Sequence, residues 1–412
     1  MNEFRCMMQG LLKNKLPQQL FIILMMLLMA GLLFSRALLS ISSVALGVLY
    51  MISSRRSEVS VPLLVAVALI IFPVVVSGYW SGDKHTWMNS VSVKIPLLTM
   101  LLGIGSIAVT KLTWQRLVFF YLLIITLGCC YSLYTYLVNY NAVQLSYLKA
   151  KVISTPADND YVRFSWMVVA AVVLGAKYVM LQPAKWIKNI SIGMILFFII
   201  YLHILAAKTG LLCLYTGCLI YLLFTEPVEK KWKRLLVYSS LIIITAVLSY
   251  AVFPTLRNRV QYVLYDFSNY SKGNYIPGYN DAARWLSVKA GYAIMQDQPL
   301  SGVGFGDIHT AVDHWHAENH PASFAYERFS PTNQWLVYGA GSGWPGLLVF
   351  TMGMAVLLYH TTSRQPLSLI LSAVACIPFF TDDSLEGQYG VILLAFIAFF
   401  GQQEFPKNDP GL

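Results

Sequence analysis

The sequence predicts an all-helical polytopic membrane protein with about twelve transmembrane segments and one large outer loop that contains helices. The 412 residues are 57% hydrophobic and only 12% charged, whereas an average soluble domain has roughly 25% charged residues. Apolar stretches of roughly 16 to 24 residues recur along the chain, each near the length that crosses a bilayer. Two of these stretches are separated by a long segment, residues 254–334, of about 80 residues.

The apolar stretches are taken in chain order. We expect membrane segments at Gln19–Phe34, Ala37–Ser53, Val61–Ser77, Ile95–Thr110, Leu117–Val138, Ser165–Met180, Ile187–Ala207, Thr209–Phe224, Leu235–Phe253, Trp335–Tyr359, Leu367–Phe380 and Tyr389–Gly401. Two pairs are nearly continuous, around Ser35 and at Lys208, so about ten or eleven crossings are an alternative. The first stretch resembles a signal peptide, but no small-residue cleavage site follows it, and we expect it to be retained.

The distribution of Lys and Arg predicts the orientation. Cations are concentrated in the segments that lie inside when the N-terminus is inside, such as Arg55-Arg56 and the run at Lys230 to Arg234. The net charge of +10 therefore reflects topology, and no cations interleave with aromatic residues as nucleic-acid binding requires. We predict a single membrane domain over residues 1–412, with residues 254–334 as one large outer loop. The six cysteines show no spacing typical of a disulfide framework or a zinc site.

A helix is predicted in the outer loop from about Asp281 to Gln296. Asn280 is a plausible N-cap and Pro299 ends the segment. An apolar stripe at helical spacing is formed by Trp285, Val288, Tyr292 and Met295. Arg284 lies in the first turn, where a helix N-terminus favours an anion such as phosphate. A surface arginine on an amphipathic helix is the alternative.

Three alternating glycines follow this helix, Gly302, Gly304 and Gly306. Glycine allows tight turns and close approach of the backbone to a partner. No strand precedes them, so a dinucleotide site is not predicted. An ordinary loop is the alternative.

Four motifs follow one another along the chain. They are "DYVRFSWMVVAA" from Asp160, "AAKTGLLCLYTG" from Ala206, "ARWLSVKAGYAIMQDQPLSGVGFGD" from Ala283 and "SPTNQWLVYGAGSGWPGLL" from Ser330. In this order they resemble the O-antigen ligase and polymerase superfamily over about residues 161–390. The resemblance implies a protein of the bacterial inner membrane with residues 254–334 as a periplasmic loop. The resemblance implies a GT-C-like glycosyltransferase without metal or cofactor. Such enzymes move a glycan from undecaprenyl diphosphate to an acceptor hydroxyl at the periplasmic face. The acceptor of a ligase is lipid A-core, and that of a polymerase is another carrier-linked unit.

The resemblance also implies roles for individual residues. Two family arginines that contact the diphosphate fall on Lys208 and Arg284, and Lys208 keeps the charge but loses the bidentate fork of arginine. Arg163 is a third candidate for the diphosphate. The family histidine that acts as general base falls on Thr332, whose hydroxyl does not accept a proton near neutral pH. The next family position is matched by Asn333, which with the three glycines is expected to shape the site.

The missing histidine leaves the general base open. We predict His320 first and Glu327 second, with a phosphate oxygen of the substrate as the third possibility. The cluster of His314, His316, Glu318 and His320 has spacing that a zinc ion accepts, but no cysteine joins it and the family needs no metal, so no metal site is predicted.

A last acidic motif, "TDDSLEGQYG", contains Asp382, Asp383 and Glu386. The resemblance suggests that these residues form an outer rim of the cavity. The alternative is that they are solvated loop acids.

The sequence thus favours an O-antigen ligase-type glycosyltransferase whose partners are the carrier-linked glycan, lipid A-core and membrane lipid. A polymerase is the nearest alternative because Thr332 replaces the ligase histidine. A protein O-oligosaccharyltransferase and an inactive relative also remain open. A transporter is disfavoured because the chain lacks repeated halves and its spans carry few charges.

Overall fold

The computed structural model describes residues 2–53, 59–148, 152–157, 159–225, 231–277, 280–363 and 365–405. Within these ranges the chain is helical and has no β-strand. The helices are α1 (Asn2–Phe34), α2 (Arg36–Ile52), α3 (Val61–Val76), α4 (Lys84–Ile104), α5 (Lys111–Val138), α6 (Tyr140–Tyr147), α7 (Tyr161–Leu181), α8 (Lys185–Leu205), α9 (Lys208–Thr225), α10 (Lys231–Val252), α11 (Pro254–Ser271), α12 (Asn280–Asp297), α13 (Ile308–Asn319), α14 (Gln334–Thr361), α15 (Pro366–Cys376) and α16 (Gln388–Ala395).

The architecture is that of a polytopic membrane protein, as predicted. Among the described residues, seven helices are long and apolar enough to cross a membrane, namely α1 from Pro17, α3 with the turn after it, α4, α5, α7, α8 and α14. An eighth crossing is possible if the bent pair of α10 and α11 counts as one span. The remaining predicted stretches lie on shorter apolar helices, α2, α9, α15 and α16 with its extension to Gly401. Twelve crossings therefore stay a prediction.

Both nearly continuous pairs of stretches are broken by a local backbone feature. Ser35 is extended and its hydroxyl accepts a hydrogen bond from the Leu38 backbone N–H at 3.4 Å, which caps α2. Ala206 adopts the left-handed conformation with φ of 52° and ends α8. Because the chain turns there, Lys208 is the first residue of α9.

The helix α4 begins well before the apolar stretch that predicted it. Its N-cap is Asp83, whose carboxylate accepts hydrogen bonds from the His85 and Thr86 backbone N–H groups at 2.9 and 3.0 Å. Hydropathy alone placed the start near Ile95, because the first turns of α4 are polar. A capping residue therefore determines this boundary better than hydropathy does.

The predicted large loop consists mostly of helices. It contains α11, α12 and α13, and α11 turns by 99° from the last part of α10. The turn occurs at Pro254, the first residue of α11, which is a favoured position for proline. The predicted loop helix is confirmed within one residue at each end, since α12 runs from Asn280 to Asp297. Asn280 is the first helical residue and not the cap.

The apolar stripe of α12 is divided between its exposed and buried sides. Trp285 and Tyr292 are both more than half exposed and Met295 is buried, on a face that also includes Ala283, Leu286, Ser287, Ala290, Gly291 and Ile294. This face packs against α14. Small residues allow the two helices to approach closely, and Pro331 lies directly over Gly291. The large aromatic side chains are therefore left on the other face of α12.

The three-glycine loop packs onto a break in α14. The backbone N–H groups of Val303 and Gly304 donate hydrogen bonds to the carbonyls of Ala340 and Gly341 at 2.8 and 3.0 Å. Helix α14 is interrupted beside this contact, where Gly343 has a φ of 65°. Gly302 has a φ of 62°, and a Cβ atom there would overlap the Ala340 carbonyl. The partner that the glycines approach is thus another part of the chain.

Candidate functional site

Two cavities meet where the first turns of α9 and α12 come together. They have volumes of about 390 and 450 Å³ and share Lys208, Asp281, Arg284 and Thr381 as lining residues. We call the two together the cation cavity. Lys208 and Arg284, the two predicted diphosphate ligands, are far apart in the sequence and are brought together by the fold.

Lys208 contacts the only carboxylate that lines the cation cavity among the described residues. Its Nζ lies 2.6 Å from Oδ1 of Asp281, which is the second residue of α12. The Lys208 side chain remains 46% exposed. An ammonium group with three donors keeps two of them available when one carboxylate oxygen is bound.

Arg284 is the second cation. Its Nη1 lies 3.9 Å from Oδ1 of Asp382, a distance too long for a hydrogen bond, and its side chain is 33% exposed. Burial alone lowers the pKa of Arg284, but Tyr161 and Asp382 outweigh burial and raise it. The guanidinium therefore stays charged. Its donors make no hydrogen bond to the nearby Asp382 carboxylate.

A third cation, Arg259, was missed by the sequence analysis. It lies on α11, is 5% exposed and lines the smaller cavity beside Lys208 and Arg284. Its guanidinium carbon is 5.4 Å from the centre of the Tyr262 ring. Arg257, two residues earlier, is exposed. Residues two apart on a helix do not share a face. If "PTLRNRVQYVLY" is read as a helix, this rule places Arg257 and Arg259 on different faces, which is a signal that the sequence contains.

Arg163, the third predicted diphosphate ligand, lies in a neighbouring cluster of carboxylates. Its guanidinium is 2.5 Å from Asp160, 3.3 Å from Asp382 and 3.7 Å from Asp383. The side chain is 16% exposed and does not line the cation cavity as the described residues define it. Asp382 links the cluster to the cavity because it also faces Arg284.

The acidic motif after α15 is therefore not a set of solvated loop acids. Asp382 is 5% exposed, and its Oδ2 accepts a hydrogen bond from the Ser384 hydroxyl at 3.0 Å. Glu386 pairs with Lys94, a fully buried residue of α4, at 2.8 Å and accepts a hydrogen bond from Gln334 of α14. These contacts fix the 381–387 turn against α4, α7 and α14. The position of Asp382, which faces Arg284, is consistent with the expectation that the motif forms a rim of the cavity.

Thr332, at the position of the family histidine, lines the larger cavity. Its hydroxyl lies 3.0 Å from the Ser287 hydroxyl and 3.2 Å from the Arg284 carbonyl, so it ties the start of α14 to α12. Asn333 is the N-cap of α14, and its side chain accepts a hydrogen bond from the Leu336 backbone N–H at 3.2 Å and donates one to the Phe380 carbonyl. The two residues thus hold the start of α14 against α12 and the 377–380 turn, beside the larger cavity.

The two predicted bases lie apart from the cation cavity. His320 follows α13, and its ring is 5.6 Å from that of Trp315 and 6.1 Å from that of Tyr275. Glu327 is fully buried and accepts a hydrogen bond from the Phe324 backbone N–H at 2.9 Å. Neither residue belongs to the cavity lining that the described part of the chain forms. Burial and Lys289 lower the pKa of His320, so its imidazole is neutral near pH 7.

The histidine cluster does not assemble a metal site within the described residues, where no group of three or more His, Cys, Asp or Glu side chains has a suitable arrangement. His314 instead faces Glu318 at 3.3 Å, one turn along α13. His316 is buried and turned toward Ser323, with 3.2 Å between its Nδ1 and the serine hydroxyl. The cluster therefore divides between the two sides of α13.

An aromatic wall extends from the cations along the larger cavity. It includes Phe267 and Tyr270 of α11, Trp285 of α12 and Phe380. The exposed side of α12 thus contributes to this wall through Trp285. The site combines cations that suit phosphate with an apolar surface that suits a sugar face or a lipid chain.

Comparison with known protein families agrees with this arrangement. Residues 192–351 match the family model described as O-antigen ligase. This match supports the O-antigen ligase and polymerase superfamily for the chain. The matched region includes Lys208, Arg259, Asp281, Arg284 and Thr332, so most of the charged lining of the cation cavity lies within it. No curated protein matches the chain.

Proposed function

We propose that the protein is an O-antigen ligase-type glycosyltransferase that moves a glycan from undecaprenyl diphosphate to a hydroxyl of lipid A-core at the periplasmic face of the inner membrane. The observation that carries the proposal is the convergence of Lys208, Arg259 and Arg284 on one cavity. Among the described residues of the lining, three cations exceed one carboxylate, so this part of the cavity favours an anion with more than one charge. A diphosphate meets that requirement.

The cations have a defined part in such a reaction. When the bond between the sugar and the diphosphate breaks, negative charge builds up on the leaving phosphate oxygens. Fixed donors aimed at that charge stabilise the transition state more than the ground state. Arg284 supplies a planar fork that suits two phosphate oxygens, while Lys208 supplies a compact charge from the first turn of α9.

The rest of the cavity suits the other parts of the substrate. The volumes of about 390 and 450 Å³ fall in the range of pockets for small ligands. Phe267, Trp285 and Phe380 offer apolar faces beside the cations. Since α9 is an apolar helix and Lys208 is its first residue, a lipid-linked diphosphate can reach the cations while its tail stays in the membrane.

A polymerase of the same superfamily is the second candidate. The observation that favours it is Thr332, which occupies the place of the ligase histidine and is committed to hydrogen bonds with α12. A polymerase joins two carrier-linked glycans and so needs the same cations. The acceptor distinguishes the two reactions.

The test uses the purified protein in lipid nanodiscs with undecaprenyl-diphosphate-linked glycan. One mixture contains lipid A-core and the other contains the carrier-linked glycan alone. Product on lipid A-core that disappears with Arg284→Ala supports the ligase, and chain growth on the carrier supports the polymerase. Arg257→Ala is the matched control because it removes an exposed arginine from α11. Absence of product in both mixtures would contradict glycosyl transfer to either acceptor.

A further inference from the structure

The proposed reaction needs a group that accepts the proton of the attacking hydroxyl, and the usual histidine is absent. At its position, the Thr332 hydroxyl is shared with Ser287 and the Arg284 carbonyl. An alcohol is also too weak a base near neutral pH to take this role. The proton acceptor must therefore be sought elsewhere in the lining of the cation cavity.

Asp281 is the one carboxylate in that lining, and no histidine joins it among the described residues. The other titratable groups there are Lys208, Arg259, Arg284 and the phenols of Tyr161 and Tyr270. Lysine and arginine side chains accept no further proton in their usual charged form, and a phenol ordinarily holds its proton until about pH 10. A carboxylate is thus the one kind of group in the described lining that ordinarily acts as a base.

The two oxygens of Asp281 have different surroundings. Oδ1 lies 2.6 Å from Lys208 Nζ, whereas Oδ2 is buried and has no hydrogen-bond partner among the described residues. A buried carboxylate oxygen favours a hydrogen-bond donor, so Oδ2 is suited to accept a hydrogen bond from a ligand in the cavity. The contact with Lys208 fixes the orientation of the carboxylate relative to the cations.

The surrounding elements hold Asp281 near the phosphate-binding groups. It is the second residue of α12, three residues before Arg284 and within the field of Lys208 from α9. Asp266 of α11 accepts a hydrogen bond from the neighbouring Ala282 backbone N–H at 2.9 Å and so anchors this end of α12. A base at this position lies within one helical turn of a cation that stabilises the leaving group.

On these grounds, and resting on the proposed glycosyl transfer, we propose that Asp281 is the general base of the reaction. Its Oδ2 accepts the proton of the acceptor hydroxyl while the hydroxyl oxygen forms a bond to the anomeric carbon. The bond from that carbon to the diphosphate breaks at the same centre, and its electron pair leaves with the diphosphate beside Lys208 and Arg284. The proton then passes from Asp281 to water.

The test compares Asp281→Asn with Asp297→Asn, which changes an exposed aspartate at the other end of the same helix. Asparagine has nearly the same shape and retains an oxygen for Lys208, but it does not accept a proton. We expect kcat to fall by about 100-fold, with undecaprenyl diphosphate binding within about twofold of the wild type. Asp297→Asn is expected to keep the wild-type rate. An unchanged kcat for Asp281→Asn would overturn the proposal.

A second variant separates a base from a residue that only orients Lys208. In Asp281→Ala, added formate supplies a small carboxylate, and we expect it to restore part of the lost rate in proportion to its concentration. Lost binding of undecaprenyl diphosphate without rescue by formate would assign Asp281 to orienting Lys208 and overturn its role as base. His320→Ala run in parallel is expected to keep kcat, and a 100-fold loss there would transfer the role to His320. Failure of the wild-type protein to transfer glycan to either acceptor would instead contradict the proposed function.

Discussion

Two groups of charges lie side by side in this protein and differ in how fully they are neutralised. Arg163 is surrounded by Asp160, Asp382 and Asp383 and is 16% exposed. Lys208 and Arg284 are 46% and 33% exposed. One carboxylate, that of Asp281, lies with them in the described lining of the cavity. Asp382 connects the two groups because it faces both arginines.

The difference separates charges that stabilise the fold from charges that are available to a ligand. The charge of a cation with three carboxylates around it is compensated within the fold, and breaking such a group leaves buried charges uncompensated. A cation on a cavity wall keeps donors for a partner from outside. The identity of the residue does not show this difference, since arginines occur in both groups.

The largest expected effect is that of Arg284→Ala on glycosyl transfer. The change removes a donor to the leaving phosphate, so we expect kcat to fall by about 100- to 1,000-fold. The rate is measured with carrier-linked glycan and the acceptor that the wild type uses. Arg284→Lys is expected to recover part of the rate, because charge returns without the bidentate fork. Wild-type activity of Arg284→Ala would place the leaving group outside the cation cavity.

Arg163→Ala is expected to affect the fold first. Removal of the guanidinium leaves three carboxylates close together, and we expect the free energy of unfolding to fall by about 3 kcal/mol. Thermal unfolding in detergent measures the change, with Arg257→Ala as the control. A stable Arg163→Ala protein that has lost binding of undecaprenyl diphosphate would show that Arg163 belongs with the cavity cations, as the sequence analysis predicted.

Substitution of Lys208 is expected to have a smaller effect on glycosyl transfer than substitution of Arg284. Lysine cannot bind two phosphate oxygens in the bidentate way of arginine, and the Lys208 ammonium is already paired with Asp281. We expect Lys208→Ala to lower kcat/KM by about tenfold and Lys208→Arg to keep or raise the wild-type value. Lys272→Ala changes an exposed lysine after α11 and serves as the control. A loss with Lys208→Arg equal to that with Lys208→Ala would mean that the shape of lysine matters here more than its charge.

The smallest effect concerns Asp383. Burial and the neighbouring Asp382 raise its pKa to about 7, although Arg163 opposes them. The folded protein therefore keeps a proton on Asp383 that the unfolded chain loses above about pH 4. Stability should fall as the pH rises from 4 to 7, and Asp383→Asn should reduce this fall by about 1 kcal/mol. The same pH profile with and without the substitution would contradict the raised pKa.

The sequence predicted α12 because its boundaries depend on local signals, and the segment from Asp281 to Gln296 gives the helix to within one residue at each end. Apolar length predicted a polytopic membrane protein, and the motif order named Lys208 and Arg284, which the fold brings to one cavity. The apolar spacing of α12 did not indicate which face is buried. The face against α14 holds small side chains, and Trp285 and Tyr292 remain outside.

Other features depended on contacts between distant segments and had no linear signal. Arg259 and Asp281 carry no motif of their own, and only the meeting of α9, α11 and α12 shows that they line one cavity. The acids after α15 were ambiguous for the same reason, since their partners are Arg163 on α7 and Lys94 on α4. His320 was an attractive base by its place in the sequence, yet the cavity lining does not include it.

The central claim is that the cation cavity binds the diphosphate of the carrier. Its most direct test is the affinity of undecaprenyl diphosphate for the protein in nanodiscs, measured for the wild type, for Lys208→Ala combined with Arg284→Ala, and for Lys272→Ala combined with Arg257→Ala. The two double variants remove the same charges from the cavity and from the surface. We predict at least a tenfold weaker affinity for the cavity variant and an unchanged affinity for the surface variant. Equal affinities for all three proteins would contradict the claim.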